Sequence, residues 1–204
     1  MNRLICQGAE SKIFLIQNPD EYNNKPFIRK LRISKSYRNE ILDNSLRKSR
    51  TKKEAKLLNK VLEVSPKVLS TNDLDTIDME FIDGPQLKQV LDTNPKLALF
   101  AGKIVAFLHS KGIIHGDLTT SNFILESNNN LKVIDFGLCS YSHKFEDMAV
   151  DLHLFRESLE SVHFRVEELA WDYFLEGYNF ESKKSVLERL KNVELRGRYK
   201  GKGD

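Results

Sequence analysis

The chain has 204 residues, 40% of them hydrophobic, with a net charge of +3 and two cysteines. That length fits one large domain or two small lobes with a filled core. No apolar run approaches the ~20 residues of a membrane span. Cys6 and Cys139 lie far apart with no Cys-x-x-Cys, and the opening Met1-Asn2-Arg3-Leu4-Ile5-Cys6 lacks a secretory apolar segment. A reduced cytoplasmic or nuclear setting is expected, rather than a disulfide framework.

In chain order, residues 3–7 and 12–16 read as strands around Gly8-Ala9-Glu10-Ser11. A loop follows, then a third strand, Phe27-Ile28-Arg29-Lys30-Leu31. Alternation puts Ile28 and Lys30 on one face and Arg29 on the other. The periodicity predicts a helix over 42–62, in which Glu54 is the only acid between Asp43 and Glu63. Pro66 ends that unit. Strands near 67–70 and 76–81 flank the turn Asn72-Asp73, and the second runs out through Met79-Glu80-Phe81-Ile82-Asp83-Gly84. A short helix at 86–92 and a long apolar one from Pro95 to Lys111 come next, closed by Gly112.

The most informative stretch is Ile113-Ile114-His115-Gly116-Asp117-Leu118-Thr119-Thr120-Ser121-Asn122, followed by Val133-Ile134-Asp135-Phe136-Gly137. Taken singly, each could be ordinary turn residues beside a hairpin. Together, in this order and spacing, they form the pattern of a protein-kinase catalytic loop and its metal-binding turn. Phosphoryl transfer needs a carboxylate near the attacking hydroxyl and oxygen ligands for the metal. Asp117 would take or orient the hydroxyl proton, and Asn122 and Asp135 would hold Mg²⁺. Strands 123–125 and 131–134, joined by Ser127-Asn128-Asn129-Asn130, would gather the three. On this reading Gly8, Ala9 and Glu10 lie over the ATP phosphates, although only one glycine is present. Lys30 pairs with the phosphates and with Glu54. Met79 backs the adenine, which hydrogen-bonds the backbone of Glu80 and Ile82. Beyond Gly137 the chain is terse: a short loop, then helices from 146, about 164–178 and 182–192, with no Ala-Pro-Glu.

The chain closely resembles the small atypical serine/threonine kinases of the KEOPS/EKC complex, the PRPK-type kinases related to the RIO kinases. The resemblance covers nearly the whole length. It rests on Gln7-Gly8-Ala9-Glu10, Lys30-x-Arg32-x-x-Lys35-x-Tyr37-Arg38, Leu42-Asp43-x-x-Leu46 and Arg50-Thr51-x-x-Glu54-Ala55. It continues through His115-Gly116-Asp117-Leu118-Thr119-Thr120-Ser121-Asn122, Asp135-Phe136-Gly137-Leu138, Glu146-Asp147-x-Ala149-Val150-Asp151-Leu152 and Leu195-Arg196-Gly197-Arg198. Ordinary kinases have Arg at the Gly116 position and Lys at the Thr119 position. Tyr199 departs from the family, which usually continues with a basic residue.

The resemblance implies an α+β kinase-like fold, with a small β-rich N-lobe at 1–82, a reduced helical C-lobe at 83–192 and a basic tail at 193–204. It implies ATP and Mg²⁺ as cofactors, weak protein-kinase activity including autophosphorylation, and ATP hydrolysis. The hydrolysis would support threonylcarbamoylation of adenosine in tRNAs that read ANN codons. The implied partners are the threonylcarbamoyltransferase subunit, docked on the C-lobe, and other KEOPS subunits. A RIO-like kinase of ribosome assembly and a catalytically idle tRNA-binding scaffold are the rival readings. The intact Lys30, Glu54, Asp117, Asn122 and Asp135 set argues against the second rival.

Charge distribution adds one expectation. Residues 25–60 hold 13 Lys or Arg against three acids, Glu40, Asp43 and Glu54. Such a window is either an anion-binding surface or a solvated helix face. With Glu54 nearly alone on the helix, the cations are expected to lack internal partners. Lys52, Lys53 and Lys56, with Arg196 and Arg198 at the other end and Lys200 and Lys202 beyond, are the RNA-contact candidates. The face carrying the helix near 146–162, with Leu154, Phe155, Leu159 and Phe164, is the expected docking surface for the transferase; most of the four are expected to be core, and the exposed members to make the contact.

Overall fold

A computed structural model describes residues 2–17, 20–127 and 130–200, the last four as helical backbone alone. The chain divides into two compact units, Met1–Ile82 and Asp83–Asp204.

The first unit is a five-stranded sheet in the order β1-β2-β3-β5-β4, antiparallel throughout, with one helix. Strands β1 (Asn2–Gln7), β2 (Ser11–Ile16), β3 (Phe27–Arg32), β4 (Val68–Thr71) and β5 (Thr76–Glu80) match the apolar runs in the sequence. β1 is an exposed edge strand, whereas β3 lies in the middle and buries Phe27, Lys30 and Arg32. The β4–β5 turn is built by Asn72, whose Oδ1 accepts from the N–H groups of Leu74, Asp75 and Thr76 at 2.9–3.0 Å.

Helix α1 (Glu40–Leu58) starts where Asn39 Oδ1 accepts from Ile41 N–H at 3.0 Å, with Glu40 and Asp43 in its first turn complementing the dipole. It stops four residues before the expected end. Bonding tightens there to Lys60 N–H to Leu57 C=O and Val61 N–H to Leu58 C=O, and this turn carries Val61 into the core. The expectation of unpartnered cations on this helix is corrected. Arg47 bonds Asp43 at 2.8 Å and Asp75 at 2.7 Å, Arg50 bonds Glu10, and Lys52 lies 3.7 Å from Asp73. Asp43 is an i,i+4 partner on the helix itself, whereas Glu10, Asp73 and Asp75 come from turns of the sheet, which helical spacing alone does not reveal.

The second unit is mostly helical. Its helices are α2 (Leu87–Val90), α3 (Leu97–Ser110), α4 (Phe145–Val162), α5 (Glu167–Gly177) and α6 (Lys183–Lys200). Two small ladders pair β6 (Ile113–Ile114) with β9 (Ser140–Tyr141), and β7 (Phe123–Leu125) with β8 (Leu131–Val133). The expected turn residues Asn128 and Asn129 lie outside the described residues.

Helices α3 and α5 meet through Gly102 and Gly177. A Cβ at Gly102 would fall 2.1 Å from the Phe174 carbonyl oxygen, and one at Gly177 would fall 1.9 Å from that of Leu99. The aromatic core stacks Phe155 on Phe174 at 4.3 Å and Trp171 on Phe174 at 5.3 Å. Phe155 and Leu159 are therefore core rather than docking face, Leu154 is half-buried, and Phe164 alone of that set is exposed. Residues 193–200 do not begin a separate tail. They extend α6, with Arg189 and Arg196, two turns apart, both reaching Glu146 of α4 at 2.8 and 2.7 Å, and Glu194 accepting from Arg156 at 2.8 Å. Lys202 lies outside the described residues.

Burial pushes the Asp43 and Asp75 carboxyls up, but hydrogen bonds and arginine charge outweigh it, and both sit below the usual carboxylate range. A depressed folded pKa means stability that is complete above the unfolded value and lost as pH falls through the folded one. The thermal midpoint should therefore drop as pH falls below about 4. Asp43→Asn, which has no carboxylate to protonate, should lower the midpoint at neutral pH and flatten that drop. Parallel pH curves for the two proteins, followed by circular dichroism, would rule Asp43 out as a source.

Candidate active site

The loop 115–122 hangs from α4 by one buried carboxylate. Asp151 accepts from His115 N–H at 2.6 Å and Gly116 N–H at 2.7 Å, and lies 3.3 Å from His109 Nε2. His109 in turn meets the hydroxyl of Tyr178 at 2.7 Å. Burial and the nearby Asp151 charge push that phenol well above its usual value, so it stays a neutral hydroxyl. Gly116 has φ +80°, and a Cβ there would lie 2.7 Å from the Leu138 carbonyl oxygen. The residue that ordinary kinases fill with arginine is thus a position where this backbone admits only glycine.

Asp117 follows with an exposed side chain. Asn122 Nδ2 donates to the Asp117 backbone oxygen at 2.7 Å and to its Oδ2 at 3.1 Å, so the Asn122 amide oxygen points away as an acceptor. The β7–β8 ladder begins directly after Asn122, and Ile134 N–H closes on the Asn122 carbonyl at 2.9 Å. Asp135 is the next residue. Its backbone is left-handed at φ 62°, its side chain is exposed, and one carboxylate oxygen accepts from Gly137 N–H at 3.2 Å. Asp117 and Asn122 therefore touch, and Asn122 and Asp135 share one end of a hairpin. His115 Nε2 meets the Ile134 carbonyl at 3.0 Å and its ring lies 5.4 Å from Phe136, tying loop to turn.

The first unit holds the buried cations. Lys30 Nζ is 2.6 Å from Glu54 Oε1, and both residues are at most 4% exposed. Arg32 also reaches this carboxylate, on Oε2. One buried carboxylate between two cations is a compensated arrangement, and removing it leaves buried charge unpaired. Arg29 points to the other face, in a two-pronged bond to Asp78 at 2.7 Å. The 8–11 turn closes by Gly8 N–H to Ser11 C=O at 2.9 Å, and Lys35 Nζ donates to the Ala9 carbonyl. Arg50 holds the Glu10 carboxyl below its usual range by a direct hydrogen bond. Met79 and Ile82 are buried and Glu80 is exposed. The Glu80 N–H is committed to the Lys67 carbonyl at 2.8 Å, which takes it out of the expected adenine contacts.

Of the RNA-contact candidates, Lys52, Lys53 and Lys56 are exposed on α1, and Arg196 is occupied by Glu146. The Arg198 side chain lies outside the described part. Two working residues escaped sequence reasoning as individuals. Arg32 was findable, since it stands two residues from Lys30 on the same strand face. Asp151 stood in the Glu146–Leu152 motif, but its role had no local signal, because its partners lie 35 and 36 residues upstream.

Gly116→Ala should destabilise the chain by about 1–3 kcal/mol, the scale of a non-glycine residue forced into a sparsely populated backbone region. Urea unfolding measures it, and an unchanged midpoint would show that the loop can re-form around a side chain.

The protein kinase domain model matches residues 2–153. The chain is 38% identical to the KEOPS complex subunit Bud32 of Pyrococcus abyssi, covering 97% of this chain and 96% of that protein. It is 39% identical to a probable serine/threonine-protein kinase BUD32 homolog of Archaeoglobus fulgidus, covering 94% of each. A probable bifunctional tRNA threonylcarbamoyladenosine biosynthesis protein of Methanobrevibacter smithii is 43% identical over 97% of this chain, which spans only 37% of that longer protein. These matches take in the catalytic loop, the Asp-Phe-Gly turn and the buried Lys30–Glu54 pair together, and the chain belongs to the protein kinase family and, within it, to the Bud32 group.

Proposed function

We propose that this chain is a serine/threonine kinase and ATPase that works as the kinase subunit of a KEOPS-type complex. Its Mg-ATP turnover would support threonylcarbamoylation of adenosine in tRNAs that read ANN codons. The observation that carries the reading is the coexistence of a buried Lys30–Glu54 pair in one unit with the joined Asp117, Asn122 and Asp135 set in the other. A protein-kinase domain uses ATP and Mg²⁺ as a class. The donor set fits that metal, because Mg²⁺ takes one or two protein oxygens and completes its shell with phosphates and water. The exposed Asp135 carboxylate and the outward Asn122 amide oxygen are two such oxygens. Bound there, Mg²⁺ supplies neutralisation of phosphate charge.

The chain's own groups divide the remaining work. Lys30, fixed by Glu54, pairs with the nucleotide phosphates. Asp117, steadied by Asn122, orients the incoming hydroxyl or water and receives its proton. Gly8, Ala9 and Glu10 lie against the phosphates, and Met79, Glu80 and Ile82 against the base. Gly116 removes the cation that would clamp a phosphorylated activation loop, so control passes to partners, the threonylcarbamoyltransferase subunit first. The Lys52, Lys53 and Lys56 stripe would contact tRNA phosphates without reading sequence.

Asp135→Ala should lower Mg²⁺-dependent ATP turnover by about 100- to 1,000-fold, the scale of losing one preorganised charge-stabilising group. Lys30→Ala should weaken nucleotide binding and turnover, whereas Arg29→Ala should spare both; a more damaging Arg29→Ala would reverse the assignment of strand faces. Lys52/Lys53/Lys56→Glu should flatten the dependence of log affinity for tRNA on log salt by about two to three units. A slope that is the same in both proteins would take the stripe out of the interface.

A further inference from the structure

The first unit contains a small pocket of which the chemistry above uses Glu10 alone. Its polar wall is Glu10, Arg32, Lys35, Arg38, Arg47 and Arg50. Five cations thus face one lining carboxylate. Glu10 accepts from Arg50 and lies 3.6 Å from Arg38. Behind the wall, Asp43 and Asp75 hold Arg47 at 2.8 and 2.7 Å, and Glu54 takes Arg32 while shared with Lys30. Positive charge stays in excess after all four acids are counted. Arg32 is 5% exposed, and its Nε has no hydrogen-bond partner among the described residues. A buried guanidinium donor left unpaired is costly, and Arg32 is one of the residues that line this cavity.

We propose that this pocket is a phosphate-monoester site, held by the Glu10 carboxylate until a phosphoryl group takes its place. Guanidinium forks match the terminal oxygens of phosphate, and several converge here from one strand, the loop after it and one helix. The cavity has room for one water-sized group, about 10 Å³, so a phosphoryl group enters only as Glu10 leaves. Glu10 is suited to leaving. Its side chain is 39% exposed, and the exchange replaces one anion by another of higher charge. The turn keeps its place meanwhile, because Ile33 N–H still bonds the Glu10 carbonyl at 3.1 Å. A cavity this small admits a terminal group and not a phosphodiester strand passing through. Inorganic phosphate and a phosphorylated serine or threonine share the required chemistry.

The test titrates the full chain at fixed ionic strength with inorganic phosphate, a phosphoserine peptide and dimethyl phosphate, following backbone amide resonances. Both monoesters should bind saturably and move the amides of Glu10, Arg32, Arg38 and Arg50, and the tighter of the two identifies the source. Arg38→Gln/Arg50→Gln should weaken binding at least tenfold, and Glu10→Gln should tighten it severalfold. The proposal is overturned by absence of saturable binding, by shifts confined to Lys30 and Asp135, or by equal affinity for dimethyl phosphate. Undiminished affinity in the arginine variant, or unchanged affinity in Glu10→Gln, overturns it too. None of these readouts depends on ATP turnover, so the site stands or falls apart from the enzymatic reading.

Discussion

A single carboxylate, that of Asp151, anchors the start of the 115–122 loop in the second unit. It is buried on α4, and it takes the two backbone N–H groups at the start of the 115–122 loop. A loop carrying a reactive carboxylate must expose that side chain, so it cannot be anchored by burying it. Anchoring through the backbone resolves the conflict. The hydrogen bonds go to His115 and Gly116, two and one residues before Asp117, and Asp117 itself remains at the surface. Asp151 accepts two backbone N–H groups and lies against His109, so the loop is held by hydrogen bonds to a single anion.

The first unit solves a different problem. It keeps a lysine buried and charged, and the solvation lost must be returned by a partner. Glu54 does so, but it serves Arg32 as well, so the lysine's environment is joined to a wider arginine cluster. Arg47, Arg50 and Arg38 extend that cluster along α1 and its approach. The result is a helix attached to the sheet by charge as much as by its apolar residues. Ala55, Leu57 and Leu58 form only its lower end.

Much of this was legible from the sequence, for identifiable reasons. Strands β2, β3 and β5 are uninterrupted apolar or alternating runs bounded by turn residues, and Asp117, Asn122 and Asp135 are recognisable because their spacing is local. Lys30 was separable from Arg29 because strand alternation has a period of two. The failures share a cause as well. The cations of α1 seemed unpartnered because Asp75 and Glu10 belong to distant segments. Residues 193–200 read as a tail because the reason they remain helical, the grip of Arg189 and Arg196 on Glu146, lies on another helix. Ser140–Tyr141 was passed over as loop, since a two-residue strand has no periodicity to detect.

That short strand matters for pharmacology. β9 pairs with β6 through Tyr141 opposite Ile113 and Ser140 opposite Ile114, and Ser142 N–H adds a bond to the Gly112 carbonyl at 2.9 Å. The segment leaving the Asp-Phe-Gly turn is therefore stitched down within a few residues, with Phe136 fully buried against the His115 ring. Inhibitors that require the phenylalanine to swing out would have to unpick this ladder and pull an aromatic ring from a packed interior before gaining any contact of their own. Compounds that leave Phe136 in place face no such barrier.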